Sequence, residues 1–303
     1  MTVSVVNPID FPHWNEALRS LPGHTFFHTS TWAEVLHRSY GYRLVYFTIR
    51  EGDSLSALLP CMDIDSVLTG KRGVCLPFTD YCEPLVSAPG QFEELFAAAV
   101  AYGKKQNWKI LEIRGGACFL KTSIPGTVYL IHSIPGTVYL TDARTADPSS
   151  IIKYTVPGIQ IRDSTRRNIR KAEKEGVTAS VAASPEAMEE FCRLNAMTRR
   201  DHGLPPQPRR FFRHVCDHIL SKDMGFIVLA SWHGAVIAAN VYFCFGDQVI
   251  YKYGASDKAY QHLRANNLVM WEAIKHASGL GCKTLCLGRT EPENKGLRQF
   301  KAG

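Results

Sequence analysis

Residues 225–256, GFIVLASWHGAVIAANVYFCFGDQVIYKYGAS, decide how this chain is read. Residues 226–230 are wholly apolar, a His233-Gly234 turn leads to 235–245, and a Gly246-Asp247 turn leads to 248–253. Short β-prone runs separated by two-residue glycine turns predict a meander of antiparallel strands. From Leu263 the period changes: Leu263, Met270, Trp271, Ile274 and Ala277 recur on one helical face until Gly279 and Gly281 stop it. Residues 284–287 then read as a returning strand. This is an α+β order that several folds share, so order alone does not choose among them.

Just upstream, a helix over 209–220 turns Phe212, Val215 and Ile219 inward. Before it, Ser184 caps and Pro185 opens a helix through Met188, Phe191, Leu194, Asn195 and Met197 to His202. Gly203-Leu204-Pro205-Pro206-Gln207-Pro208 closes it, because proline cannot continue a helix. That stiff loop, directly behind Arg199, Arg200, Asp201 and His202, is a candidate pocket wall. Residues 164–175 predict a helix stopped by Gly176, with Arg166, Arg167, Arg170, Lys171 and Lys174 around little apolar surface beyond Ile169 and Ala172. It is either a solvated charged face or a surface for the phosphates of tRNA or lipid.

Residues 142–159 are rich in Pro, Gly, Ser and Thr, and a boundary placed there gives domains 1–150 and 151–303. In the first, Thr29, Ser30 and Thr31 cap a helix over 31–39 that follows Phe26 and Phe27 and carries Trp32, Val35 and Leu36. Strands are expected over 42–49, 55–62, 73–78 and 108–113, with a helix over 91–106. The octapeptide SIPGTVYL occurs at 123–130 and again at 133–140. Two copies are too few for a solenoid; each joins a Pro-Gly turn to a β-prone run, predicting a hairpin or two edge strands. A tandem duplication lengthening an edge and a functional lid are the two readings of it.

The formal charge of +7 is unevenly spread, residues 1–150 holding about −2 and 151–303 about +9. The basic half points to phosphate-rich partners: tRNA, nucleotide sugars, CoA or, by peripheral contact, an anionic membrane surface. No apolar run is long enough for a transmembrane segment, and the first residues lack signal-peptide order. Nine cysteines without a repeated spacing suit a reducing compartment, so a cytoplasmic location is expected. His214 and His218 flank Asp217, but the His-Glu-x-x-His order is missing and no metal site is expected. There is no Gly-x-Ser-x-Gly elbow, no Walker motif and no dinucleotide glycine pattern. The junction at 253–267 also lacks the Gly-x-Gly or Gly-x-Ala turn that cradles the CoA pyrophosphate.

A constellation remains. Tyr251 and Tyr253, two apart on one strand, are expected to share a face with Lys252 opposite, as core tyrosines or as hydroxyl donors lining a cleft. Gly288-Arg289-Thr290 follows the last strand, and Gly296-Leu297-Arg298-Gln299-Phe300-Lys301 follows that, at a frequent location for active-site loops.

At these residues the chain resembles the FemAB-like family, the Fem-type aminoacyltransferases of GNAT fold that build peptidoglycan bridges. The resemblance runs over nearly the whole chain, through 27–35, RRNIRKAEKEG at 166–176, TRRDHGLPPQP at 198–208, YKYGAS at 251–256, LGRT at 287–290 and GLRQFKAG at 296–303. It implies two GNAT-like domains of α+β class, with mixed, mostly antiparallel sheets flanked by helices, the second domain carrying the donor site. It implies a transferase that passes an aminoacyl or acyl group to an amine of a cell-envelope precursor, from aminoacyl-tRNA and with no bound cofactor. Lys301 matches the family's lysine that steadies charge on the reacting acyl centre; Tyr251 and Tyr253 match its cleft tyrosines. Arg200, Phe300, Arg289 and Trp32 fall at substrate-binding positions, and the cations at 166–174 at a phosphate-binding one. Two readings stand beside this one: an N-acyltransferase using acetyl-CoA on exopolysaccharide or lipid-linked sugars, and an inert RNA-binding protein of the same fold. The chain departs from the family by carrying Leu36 and His37 where a phosphate-binding lysine is common, by lacking a long coiled-coil arm, and by ending at Gly303 where relatives continue.

Overall fold

The computed structural model describes residues 2–52, 54–67, 69–79, 82–113, 129–130, 138–141, 151–156, 159, 161–289 and 295–301. The chain divides into two compact units, Met1–Ser150 and Ile151–Gly303.

The first unit runs β1 (Ser4–Val6), α1 (Trp14–Leu18), α2 (Ser30–Tyr40), β2 (Arg43–Glu51), β3 (Ser54–Ser66), β4 (Gly70–Val74) and β5 (Leu85–Val86). It continues with α3 (Gln91–Gln106), β6 (Ile110–Ile113), β7 (Tyr129–Leu130) and β8 (Val138–Thr141). The sheet order is β1-β2-β3-β4-β6-β8-β7, with β5 on β3; β4-β6 and β6-β8 are parallel and the other pairs antiparallel. Thr29 supplies the helix cap, its side chain accepting from the Trp32 amide at 3.2 Å. The two repeat copies meet where they are described: β7 pairs antiparallel with β8, Leu130 opposite Leu140, and β7 forms the sheet edge. The rest of the repeat lies outside the described residues.

The second unit runs β9 (Ile151–Thr155), α4 (Asp163–Lys174), β10 (Thr178–Ala182), α5 (Pro185–Asp201), α6 (Arg209–His218), β11 (Gly225–Trp232) and β12 (Ala235–Phe245). β13 (Gln248–Ser256), α7 (Ala265–Gly279), β14 (Thr284–Arg289) and α8 (Lys295–Lys301) complete it. The sheet order is β10-β11-β12-β13-β14-β9, antiparallel except for the β13-β14 pair. The meander is therefore β11 to β13, and the segment at 142–159 does not act wholly as a linker. Its Ile151–Thr155 segment joins the sheet edge beside β14.

The sheet has two covered faces. Phe226, Val228, Ala230 and Tyr242 pack with Leu268, Val269 and Ala273 of α7 and with Ile169 of α4. The alternate residues Ile227, Val241 and Phe243 are buried outside that cluster, on the side where α5 packs on β11, β12 and β13. The α7 start differs from the expectation at Leu263. Lys258–Leu263 is a 3₁₀ turn whose Ala259 amide is held by Asp257 at 2.9 Å, and Arg264, at φ 61°, breaks it from α7. Among the described residues no helix is long and apolar enough to cross a membrane.

Candidate functional site

One bulge decides which side chains meet. Along β12-β13, Val241 pairs with Tyr253 and Tyr242 pairs with Tyr251, so Lys252 is an extra residue in the ladder. An inserted residue reverses the alternation, and Tyr251 and Tyr253 point to opposite faces. This corrects the shared face expected from their spacing. Tyr251 packs on the α7 side, its ring 5.5 Å from that of Tyr242. Tyr253 packs on the other side, 6.2 Å from Phe191 and Phe211 and 5.8 Å from Phe212. The bulged Lys252 lays its ammonium 5.3 Å from the Tyr253 ring centre. Position 254 must be glycine because the Tyr251 hydroxyl occupies the place a Cβ would take, with the Asn240 side chain beyond it. Asn240 donates to the Tyr242 hydroxyl at 3.1 Å, which donates to Met270 Sδ at 3.5 Å, and burial pushes the Tyr242 phenol well up.

On the Tyr251 face the unit has a cleft of about 50 Å³. β9 contributes Tyr154, α4 Thr165 and Ile169, α7 Asn267, Met270, Trp271 and Ile274, β14 Leu285 and Leu287, and α8 Phe300 and Lys301. The cleft forms where β14 stops matching β13: their parallel pairing ends at Ile250 and Cys286. Lys301, expected on an exposed loop, is the last residue of α8 and only 6% exposed. Its ammonium lies 5.9 Å from the Tyr251 ring centre, a cation over a π face. Its backbone is held as well, since Tyr154 donates its hydroxyl to the Lys301 carbonyl at 2.8 Å. Sequence reasoning missed Tyr154, which sits in the stretch where the domain boundary was placed; its signal was the β-prone run IIKYT at 151–155.

Of the remaining expected residues, Trp32, Arg200 and the α4 cations fall elsewhere. Trp32 is fully buried in the first unit, its ring 5.7 Å from Phe27 and 6.2 Å from Phe26, which makes it a core residue with no surface to offer a substrate. Arg200 is exposed in the last turn of α5, the helix on the Tyr253 face, and is not among the cleft residues. Arg289 ends β14 opposite Ile151 of β9, one residue after Gly288 at φ 67°. Arg166, Arg167, Arg170, Lys171 and Lys174 are all exposed on α4, whose other side supplies Thr165 and Ile169 to the cleft.

Residues 160–301 match the family model described as an acetyltransferase (GNAT) domain. Comparison with curated proteins finds no significant match. Among solved structures, a crystal structure of FemX superposes with a TM-score of 0.72 at 13% identity, over 99% of this chain and 93% of that one. The C-terminal domain of a putative lysylphosphatidylglycerol synthetase from Agrobacterium fabrum gives 0.55 at 11% identity, over 98% and 83%. A tandem GNAT protein from the clavulanic acid biosynthesis pathway gives 0.51 at 10%, over 99% and 94%. The chain therefore has a FemX-like fold, α+β with two mixed sheets, and its residues 160–301 form a GNAT acyltransferase domain.

Proposed function

We propose that this chain passes an aminoacyl group from aminoacyl-tRNA to an amine of a cell-envelope precursor, with the reacting carbonyl at the Lys301 end of the cleft. The observation that carries this reading is the buried Lys301, its backbone carbonyl held by Tyr154 and its ammonium set over Tyr251. When an amine attacks an acyl ester, the new N–C bond pushes the carbonyl pair onto oxygen. A fixed ammonium in a partly dehydrated site offsets that charge without a covalent enzyme intermediate. The intermediate then expels the tRNA hydroxyl, which takes up the proton the amine gives away. Helix α4 supports the tRNA assignment, because its exposed cations run along the same element that lines the cleft. The envelope acceptor is supported by the FemX and lysylphosphatidylglycerol synthetase likenesses.

A second reading, N-acyl transfer from acetyl-CoA, is favoured by the acetyltransferase description of the matching family. Against it stands the β13-α7 junction, where a 3₁₀ turn capped by Asp257 occupies the place of a pyrophosphate-binding glycine loop. The full chain, given labelled aminoacyl-tRNA pools and acetyl-CoA separately with an envelope-precursor fraction as acceptor, tests both. Transfer from tRNA is expected. Transfer from CoA alone moves the chemistry to the second reading, and transfer from neither removes both.

A further inference from the structure

The walls of the cleft carry more than its catalytic end does. Tyr154, Ile161, Trp271, Ile274 and Phe300 pack on the core yet stay half-buried, so large apolar faces are left open to the cleft. Leu285 and Leu287 close its floor from β14. Among the described lining residues those with polar side-chain groups are Tyr154, Thr165, Asn267, Trp271 and Lys301, and the Tyr154 hydroxyl is engaged with the Lys301 carbonyl. Among the described residues no Asp or Glu lines it. A cationic side chain placed here would give up its water, find no carboxylate among the described lining residues and approach the Lys301 ammonium. A polar uncharged one would lose water hydrogen bonds with few donors or acceptors to replace them. An apolar one covers open apolar surface.

We infer that this cleft is the side-chain pocket for the transferred group, and that it selects an uncharged, apolar aminoacyl or acyl side chain. The inference rests on the acyl-transfer reading above and adds the substrate class. The carbonyl stays at Lys301, while Trp271 and Ile274 of α7 and Leu287 of β14 read the side chain.

Binding separates this from turnover. Adenosines bearing leucine, asparagine or lysine on a 3′-amide do not react, and leucine and asparagine differ in polarity at nearly equal shape. On the full chain, the leucyl probe is expected to bind on the order of tenfold tighter than the other two. Ile274→Asp is expected to weaken the leucyl probe by about tenfold and bring the lysyl probe level with it, while Ile274→Val stays within about twofold, reporting an intact fold. Equal binding of the three probes, a lysyl preference in the unaltered chain, an unchanged leucyl affinity in Ile274→Asp, or binding of none overturns the inference. If the leucyl preference holds and no donor supports transfer, the pocket stands and the acyl-transfer reading falls. Transfer without side-chain preference has the reverse meaning.

Discussion

His28 in the first unit and Lys301 in the second are both basic side chains buried almost completely, at 0% and 6% exposure, and they serve opposite ends. The His28 ring is enclosed by its own fold: Nδ1 faces the Thr25 amide and hydroxyl at 3.1 and 3.0 Å, and Nε2 faces the Glu83 carbonyl at 2.9 Å. Burial lowers its pKa to about 4, despite those hydrogen bonds, and the ring stays neutral. Trp14 completes the enclosure by donating to the His28 carbonyl at 3.0 Å. Lys301 instead stands at the wall of an open cleft, with an aromatic face under it and its carbonyl, not its ammonium, tied by Tyr154. Burial alone therefore does not mark a functional cation. What marks it is burial at the wall of an open cleft.

The largest effect expected from this contrast is on rate. Lys301→Met keeps the apolar stem and removes the charge, and should lower transfer on the order of 10²- to 10³-fold while the thermal midpoint moves little. Equal losses of stability and activity would make Lys301 a packing residue like His28. The second effect is on stability and belongs to His28. Its folded pKa lies below the unfolded value near 6.5, so the unfolded chain binds the extra proton between about pH 6.5 and 4. The stability it contributes is complete above pH 6.5 and drains away as pH falls through that window, by up to about 3 kcal/mol. Urea unfolding of the unaltered chain across pH 4 to 7 should show the slope, and His28→Gln should flatten it.

Third comes the bulge. Tyr253→Ala, in the aromatic cluster with Phe191, Phe211 and Phe212, should cost about 2–3 kcal/mol and leave transfer per folded molecule nearly intact. Tyr251→Leu, which removes the π face under Lys301, should do the reverse and lower transfer roughly tenfold with a smaller stability loss. A matched response of the two tyrosines would mean that they act together in spite of facing opposite ways. The smallest effect concerns salt. Replacing Arg166, Arg167 and Arg170 with Gln should reduce the slope of log affinity against log salt for tRNA by about 2–3, because each phosphate contact adds a little under one unit.

The meander was legible because apolar runs and glycine turns alternate cleanly through 225–256, and α5 because Ser184 and Pro185 mark its start. The face on which each tyrosine lies was not. Period-two reasoning holds only while a ladder is regular, and nothing in Tyr251-Lys252-Tyr253 announces that Lys252 is inserted. Gly254 is the nearest thing to a local signal, since a glycine inside a strand marks a close approach, here by the Tyr251 ring. Trp32 misled for a related reason: an aromatic residue behind a capping Thr has the same sequence pattern whether it faces a ligand or the core. Tyr154 was hidden because an edge strand of five residues inside a Pro/Ser-rich stretch has too little periodicity to be read, and its role depends on α8, 147 residues further on.

The most direct test of the central claim is to find where the acyl side chain lies. Photo-leucine on the same 3′-amide adenosine, irradiated on the full chain and mapped by mass spectrometry, should label peptides of α7 and α8, around Trp271, Ile274 and Phe300. Label confined to α5 and α6, around Tyr253 and Arg200, would place the acyl group on the other face of the sheet and contradict the account.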